Sequence, residues 1–242
     1  MGTMPDTATA PAVIFFDLDD TLLDDRAASD AGLRTLMDRL GHPDYNAART
    51  LWEVQTEISF GAYIDGRLGL QEQRRERVRA LAVQAGHSSV PDQACDDLYR
   101  QYLEAHSAAW QAFPDVAPTL AELAQAGIGL GVITNGVEEL QRQKLDRMGL
   151  TGHFRAVVCA DTAGAGKPDP RIFHTAARQL GVDPQMCWHV GDQVHADALG
   201  AAAGGMRPLL VDRRGAHRDQ QDVRVIGGLG DLVGLVTAPE LR

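Results

Sequence analysis

The feature that most constrains the fold of this chain is a set of five short apolar runs without polar–apolar alternation. They lie at 13–16, 129–134, 156–160, 187–190 and 208–211. A strand with one solvated face alternates in polarity, whereas a strand buried on both faces reads as a continuous apolar run. Helical patterns separate the later runs, at 118–126, 137–148 and 170–180. Buried strands alternating with helices predict an α/β fold, in which a Rossmann-like parallel sheet carries helices on both faces.

A long segment without any strand signal separates the first apolar run from the second. Its apolar residues follow helical spacing, in four predicted helices at 27–40, 45–63, 70–85 and 91–107. A crossover between parallel strands needs only about a dozen residues and one helix. We therefore expect residues 25–112 to form an inserted, all-helical cap domain. The catalytic core would then consist of residues 1–24 and 113–242.

Composition argues against several classes of protein. The formal net charge is -10, which disfavours nucleic acid as a partner because phosphate backbones attract basic surfaces. No apolar run approaches the ~20 residues that a membrane-spanning helix needs, so we expect no membrane partner. The first twelve residues lack the basic and apolar regions of a signal peptide, and the three cysteines show no disulfide or zinc pattern. These features predict a cytoplasmic protein, and they leave the choice between monomer and homodimer open.

Polar residues follow four of the predicted strands where each one ends. The four segments are "DLD" (17–19), "TNG" (134–136), "GKPDP" (166–170) and "GDQVHAD" (191–197). In an open parallel sheet, ligands bind in the crevice beyond the carboxyl ends of the strands. We therefore expect these segments to meet at one edge of the sheet.

The residue types in these segments point to phosphoryl transfer. Four carboxylates at this density need a cation, and oxygen-only ligands select Mg²⁺, which usually keeps a substrate phosphate in its shell. Lys167 and Thr134 can bind the remaining phosphate oxygens. One carboxylate is then available to attack phosphorus and another to move protons. The four acids are Asp17, Asp19, Asp192 and Asp197.

Together and in this order, the four segments resemble the motifs of the haloacid dehalogenase (HAD) superfamily of phosphohydrolases. The detailed match covers residues 13–24 and about 113–212. The stretches "ITNGVEELQRQKLDRMGL" and "GKPDPRIFHTAARQLGV" also resemble subfamily I, whose members carry a helical C1 cap. Each motif is weak alone, but four of them at successive strand ends form a specific pattern.

This resemblance implies a role for each acid. Asp17 would be the nucleophile that forms a phosphoaspartate. Asp19 would protonate the leaving group and then act as the base for the water that cleaves the intermediate. Asp192 would bind Mg²⁺ together with Asp17 and the backbone carbonyl of Asp19, and Asp197 would support the metal shell.

The resemblance also implies a phosphate site. Thr134 and the backbone near Asn135 would hold the phosphate, and Lys167 would neutralise its developing charge. For Thr134 and Asn135, a second interpretation is that they cap the following helix, and the two are compatible. Gln193 stands where the family usually has serine, and Asp20 replaces the commoner glycine; the effect of Gln193 on the metal shell stays open.

One feature of the predicted cap stands out, the arginine-rich stretch "QEQRRERVRAL". Arg74 and Arg77 share a helical stripe with Leu70 and Leu81. In one interpretation these arginines are solvated at their tips and lie along an apolar face. In the other, Arg77 meets an anionic substrate.

We therefore expect a Mg²⁺-dependent phosphatase whose partner is a small phosphate ester, such as a sugar phosphate, a nucleoside monophosphate or a phosphoglycolate-like acid. The cap would close over the substrate and select the leaving group. A phosphomutase resembling β-phosphoglucomutase would use the same Asp17 and Asp19. In the family, 2-haloacid dehalogenases lack the second acid of the first motif, so the presence of Asp19 disfavours dehalogenase activity. A non-catalytic binding protein should have lost a catalytic residue, and none is missing.

Overall fold

A computed structural model of the chain describes residues 10–64, 66–217 and 219–237. Six strands form one sheet in the order β3-β2-β1-β4-β5-β6, and every neighbouring pair is parallel. The strands are β1 (Val13–Phe16), β2 (Gly129–Thr134), β3 (Ala156–Cys159), β4 (Cys187–Gly191), β5 (Arg207–Val211) and β6 (Arg224–Ile226). The predicted Rossmann-like parallel sheet is confirmed.

Ten α-helices lie in the described residues. Four of them follow one another between β1 and β2: α1 (Asp25–Leu40), α2 (Tyr45–Ile64), α3 (Leu70–Gln84) and α4 (Asp92–Ala108). The other six are α5 (Val116–Gln125), α6 (Glu138–Arg147), α7 (Ala160–Ala163), α8 (Pro170–Leu180), α9 (Gly200–Ala203) and α10 (Gly230–Thr237). None of the helices in the described part of the chain is both long and apolar enough to cross a lipid bilayer.

Strand β1 shows why the apolar runs do not alternate. Ile14 and Phe16 point into one hydrophobic core, while Val13 and Phe15 belong to a second core on the opposite face. Helices α5, α6 and α10 contribute leucines to the first core, and α8 and α9 contribute to the second. Because both faces of the sheet are covered, each position of β1 is buried and apolar.

The glycine at position 131 of β2 has a packing reason. A Cβ added to Gly131 would lie 2.6 Å from the ring of Phe15 on the neighbouring strand. The missing side chain therefore leaves room for the Phe15 ring between β1 and β2.

The chain divides into two compact units. One contains residues up to 24 together with those from 111 onward, and the other contains residues 25–110. The second unit is α1 to α4, packed around its own core, in which the rings of Trp52, Tyr99 and Tyr102 pack against one another.

Strand β6 was not predicted from the sequence. It is three residues long, lies at the edge of the sheet, and begins with the exposed Arg224. An edge strand of this length buries too little apolar surface to leave a pattern in the sequence.

Candidate active site

The topology brings three strand ends together at the centre of the sheet. Strand β1 lies between β2 and β4, with Val13 in register with both Gly129 and Cys187. Asp17 follows β1, Thr134 ends β2 and Asp192 follows β4. The chain crosses from one side of β1 to the other between β3 and β4, which makes this edge the switch point where ligands bind in such sheets.

Lys167 joins two of the predicted acids. Its Nζ donates to Asp17 Oδ1 at 2.5 Å and to Asp197 Oδ1 at 2.6 Å, and all three side chains are buried. The backbone of Lys167 is held by Asn135, whose Nδ2 donates to the Lys167 carbonyl while its Oδ1 accepts from the Lys167 N–H. Asn135 therefore fixes the loop that carries Lys167.

Asp197 accepts three hydrogen bonds, one of them from Lys167. Its Oδ1 also accepts from His189 Nε2 at 3.0 Å, and its Oδ2 accepts from the backbone N–H of Gln193. Although burial opposes ionisation, Lys167 and His189 hold the pKa of Asp197 below its usual range. Gln193 contributes a backbone group here, which any residue except proline supplies.

His189 also belongs to this network. It lies on β4, fully buried, with its ring edge-on to Phe173. Burial lowers its pKa, so the neutral imidazole donates from Nε2 to the Asp197 carboxylate. No ligand spacing in the sequence could have revealed this role.

Three carboxylates form a cluster that suits a small hard cation. Asp17, Asp192 and Asp197 each place one oxygen within 4.8 Å of the others. Burial, together with the neighbouring acids, raises the pKa of Asp17 well above its usual range and that of Asp192 to about 7. Among the described residues, the buried Asp192 Oδ1 has no hydrogen-bond partner. Excess negative charge, oxygen-only donors and an unpaired buried oxygen all fit Mg²⁺.

The Asp19 carboxylate has hydrogen-bond donors of its own. Lys144 Nζ donates to Asp19 Oδ1 at 2.6 Å, and Gln141 Nε2 donates to Oδ2 at 3.1 Å. The same Gln141 amide donates to Thr134 Oγ1 at 2.7 Å. Sequence reasoning missed Lys144 and Gln141, although Lys144 is one of two lysines in the chain, the other being Lys167. Each lysine pairs with one of the first two acids.

Thr134 is buried and placed to donate its hydroxyl hydrogen. Its Oγ1 accepts from Gln141 Nε2 and from the backbone N–H of Gly136, so the hydroxyl hydrogen is left for a bound anion. The alternative capping role is not seen, because α6 begins after Val137 without a side-chain cap. The N–H of Glu138 instead donates to the Asp161 carboxylate.

The structure places Arg77 inside the helical unit, not on its solvated side. Its guanidinium donates to Gln73 Oε1 and Tyr99 Oη, and lies over the rings of Trp52 and Tyr99. The side chain is buried, so the interpretation of a solvated tip is wrong. Its contacts are those of a residue that holds helices together, and its role in substrate recognition stays a prediction.

Three further acids, Asp20, Asp24 and Asp25, lie between the end of β1 and the start of α1. Asp20 has a left-handed backbone, with φ of 60°, where a glycine is commoner. Arg214 donates to both Asp20 and Asp24, and Asp25 begins α1.

Similarity to known families agrees with this geometry. The family described as haloacid dehalogenase-like hydrolase matches residues 11–205. A phosphoserine phosphatase from Thermus thermophilus is 32% identical over an alignment that covers 91% of this chain and 96% of the relative. A glyceraldehyde 3-phosphate phosphatase from Methanothermobacter thermautotrophicus is 31% identical over 232 residues, covering 90% and 96%.

Solved structures share the architecture. The HAD-hydrolase YfnB from Bacillus subtilis, bound to magnesium, superimposes with a TM-score of 0.78 and is 22% identical, covering 94% of this chain and 99% of that one. A 2-haloacid dehalogenase from Pseudomonas syringae is 31% identical with a TM-score of 0.64, covering 93% and 98%. The family match, the relatives and the fold agree with the predicted resemblance. The chain belongs to the haloacid dehalogenase-like hydrolases.

Proposed function

We propose that this protein is a Mg²⁺-dependent phosphatase that hydrolyses small phosphate esters through a phosphoaspartate at Asp17. The observation that carries the proposal is the presence of two carboxylates, Asp17 and Asp19, each paired with its own buried lysine at one edge of the sheet. The first can attack phosphorus while the second moves protons.

Asp17 is set up as the nucleophile. Lys167 holds Oδ1, which leaves Oδ2 to attack phosphorus. As the new bond forms, the bond between phosphorus and the leaving-group oxygen breaks, and that oxygen takes a proton from Asp19. Thr134 and Lys167 donate to the phosphoryl oxygens, where negative charge increases.

Asp19 then works in the opposite direction. A water molecule attacks the phosphorus of the phosphoaspartate and gives its proton to Asp19. The bond between phosphorus and the Asp17 oxygen breaks, which releases inorganic phosphate and restores both carboxyl groups.

Asp17 and Asp192 would hold the metal ion, with Asp197 in support. When bound, Mg²⁺ supplies positive charge that neutralises the carboxylate cluster and the phosphate. Asp192 Oδ1, which has no hydrogen-bond partner in the described part of the chain, and the raised pKa values of Asp17 and Asp192 support this assignment.

The relatives support a phosphatase over a dehalogenase. The two relatives described above carry phosphatase names, and the substrates in those names, phosphoserine and glyceraldehyde 3-phosphate, are small phosphate esters. One similar structure is a 2-haloacid dehalogenase. Dehalogenation needs no acid to protonate a halide, so the paired and positioned Asp19 favours phosphate-ester chemistry.

A substrate panel tests the proposal. The purified protein with Mg²⁺ should release phosphate from p-nitrophenyl phosphate and, with higher kcat/KM, from at least one of phosphoserine, glyceraldehyde 3-phosphate and phosphoglycolate. Halide release from 2-chloropropionate tests for dehalogenase activity, and isomerisation of β-glucose 1-phosphate tests for mutase activity. Halide release without phosphate release would overturn the proposal, and so would isomerisation without phosphate release.

A further inference from the structure

We propose that Lys144 and Gln141 are positioning residues that aim the Asp19 carboxylate at the leaving-group oxygen. This inference rests on the proposed phosphatase function and concerns a part of the site outside the four motifs. Both residues come from α6, three positions apart and therefore on one face of the helix.

The first support is that each oxygen of Asp19 has its own donor. Lys144 Nζ binds Oδ1 and Gln141 Nε2 binds Oδ2, so rotation of the carboxylate about its Cβ–Cγ bond would break a hydrogen bond. Lys144 is 4% exposed and Gln141 is 1% exposed, whereas the Asp19 side chain is 37% exposed. The donors approach from the protein side, and the outward lone pairs of Asp19 stay accessible to a substrate.

The second support is that Gln141 couples Asp19 to the phosphate site. Its single amide nitrogen donates to Asp19 and to Thr134, so one group sets the distance between the proton-transferring acid and the phosphate-binding hydroxyl. Gly136 makes this possible, because a Cβ there would lie 2.3 Å from Gln141 Nε2.

The third support is electrostatic. A buried ammonium group is costly without a carboxylate, and Asp19 provides one for Lys144. When Asp19 gives its proton to the leaving group, the existing hydrogen bond from Lys144 becomes one between two charged groups, which stabilises the carboxylate that remains. The proton itself passes between Asp19 and the substrate or water, so Lys144 acts through Asp19.

Leaving-group dependence separates this role from a purely structural one. p-Nitrophenyl phosphate and phenyl phosphate have similar shapes, but nitrophenolate leaves without much help from an acid, whereas phenolate is a stronger base. In Lys144→Met, we expect kcat/KM to fall about tenfold or more for phenyl phosphate and less than about threefold for p-nitrophenyl phosphate. kcat/KM is the quantity to use because it reports the steps up to phosphoaspartate formation.

Arg142→Met is the matched control. Arg142 lies on the same helix, pairs with Glu138 and is exposed. It should leave both kcat/KM values unchanged. Gln141→Leu removes the other donor and should show the same selectivity as Lys144→Met, which keeps the inference testable if Lys144→Met does not fold. Equal losses on both esters in Lys144→Met and Gln141→Leu would overturn the inference.

Crystal structures of the wild type and the two variants test whether Lys144 and Gln141 orient Asp19, without any measurement of turnover. We expect the Asp19 carboxylate to rotate away from its wild-type orientation in each variant. An unchanged Asp19 in both would overturn the inference. If the wild type hydrolyses neither ester, the proposed function fails, and the crystal structures still show whether Lys144 and Gln141 position Asp19.

Discussion

Asp192→Asn should make the metal-free protein more stable at neutral and alkaline pH while removing its activity. Burial raises the pKa of the Asp192 carboxyl group from 3.8 to about 7, with smaller contributions from the negative charges of Asp197 and Asp20. Ionising this group in the folded protein is therefore unfavourable. Asparagine has a similar shape and does not ionise, so it removes this cost.

The sign and size follow from proton linkage. A raised folded-state pKa means that proton binding stabilises the folded form below about pH 4, and this stabilisation is lost as the pH rises to about 7. A shift of this size corresponds to at most about 4 kcal/mol above pH 7. Because Asp192 is partly exposed and water screens it, we expect ~2–4 kcal/mol.

Urea unfolding of the metal-free wild type and Asp192→Asn at pH values from 4 to 8 measures the effect. The two should have similar unfolding free energies near pH 4. The difference in favour of the variant should grow as the pH rises to about 7 and then stay constant. Adding Mg²⁺ at pH 8 should stabilise the wild type and have little effect on the variant. A variant less stable than the wild type at pH 8 would refute the reasoning.

Two further predictions concern packing. In Gly191→Ala the new Cβ would lie 2.1 Å from Asp197 Cγ, so we expect the free energy of unfolding to fall by about 1–3 kcal/mol. Turnover should also be lost, because the displaced Asp197 can no longer hold Lys167. Thermal stability and turnover equal to those of the wild type would contradict this. Arg77→Met should lower the unfolding free energy by about 1.5–3 kcal/mol, because its bonds to Gln73 and Tyr99 are lost. The exposed Arg100→Met is the control, and a selective rise in KM for a metabolite over p-nitrophenyl phosphate in Arg77→Met would instead support substrate recognition by Arg77.

The fold was predictable because burial on both faces produces an apolar run in the sequence at five of the six strands. The run at 13–16 and the helix at 170–180 have the same bounds in the sequence pattern and in the structure. Strand β6 left no such mark, since it is short and partly exposed. Positions of the acids followed from the same pattern, because parallel strands end at one edge of the sheet.

The supporting contacts of the site were not predictable in the same way. Lys144 and Gln141 lie on a helix whose sequence reads as an ordinary charged surface, and only the packing of α6 shows that both are buried. His189 reads as part of a strand, and its bond to Asp197 depends on the turn of chain between them. Arg77 shares a helical face with leucines, and the sequence alone does not show whether that face is solvated or buried.

The most direct test of the central claim is to identify the atom that carries the phosphoryl group during turnover. Asp19→Asn should still be phosphorylated by p-nitrophenyl phosphate, which needs little acid assistance, but should lose its phosphoryl group slowly. Acid quenching followed by borohydride reduction converts an acyl phosphate to an alcohol. Peptide mass spectrometry should then find homoserine at position 17, and not in the Asp17→Asn/Asp19→Asn double variant. Modification at another residue, or a phosphate burst with unmodified Asp17, would contradict the account.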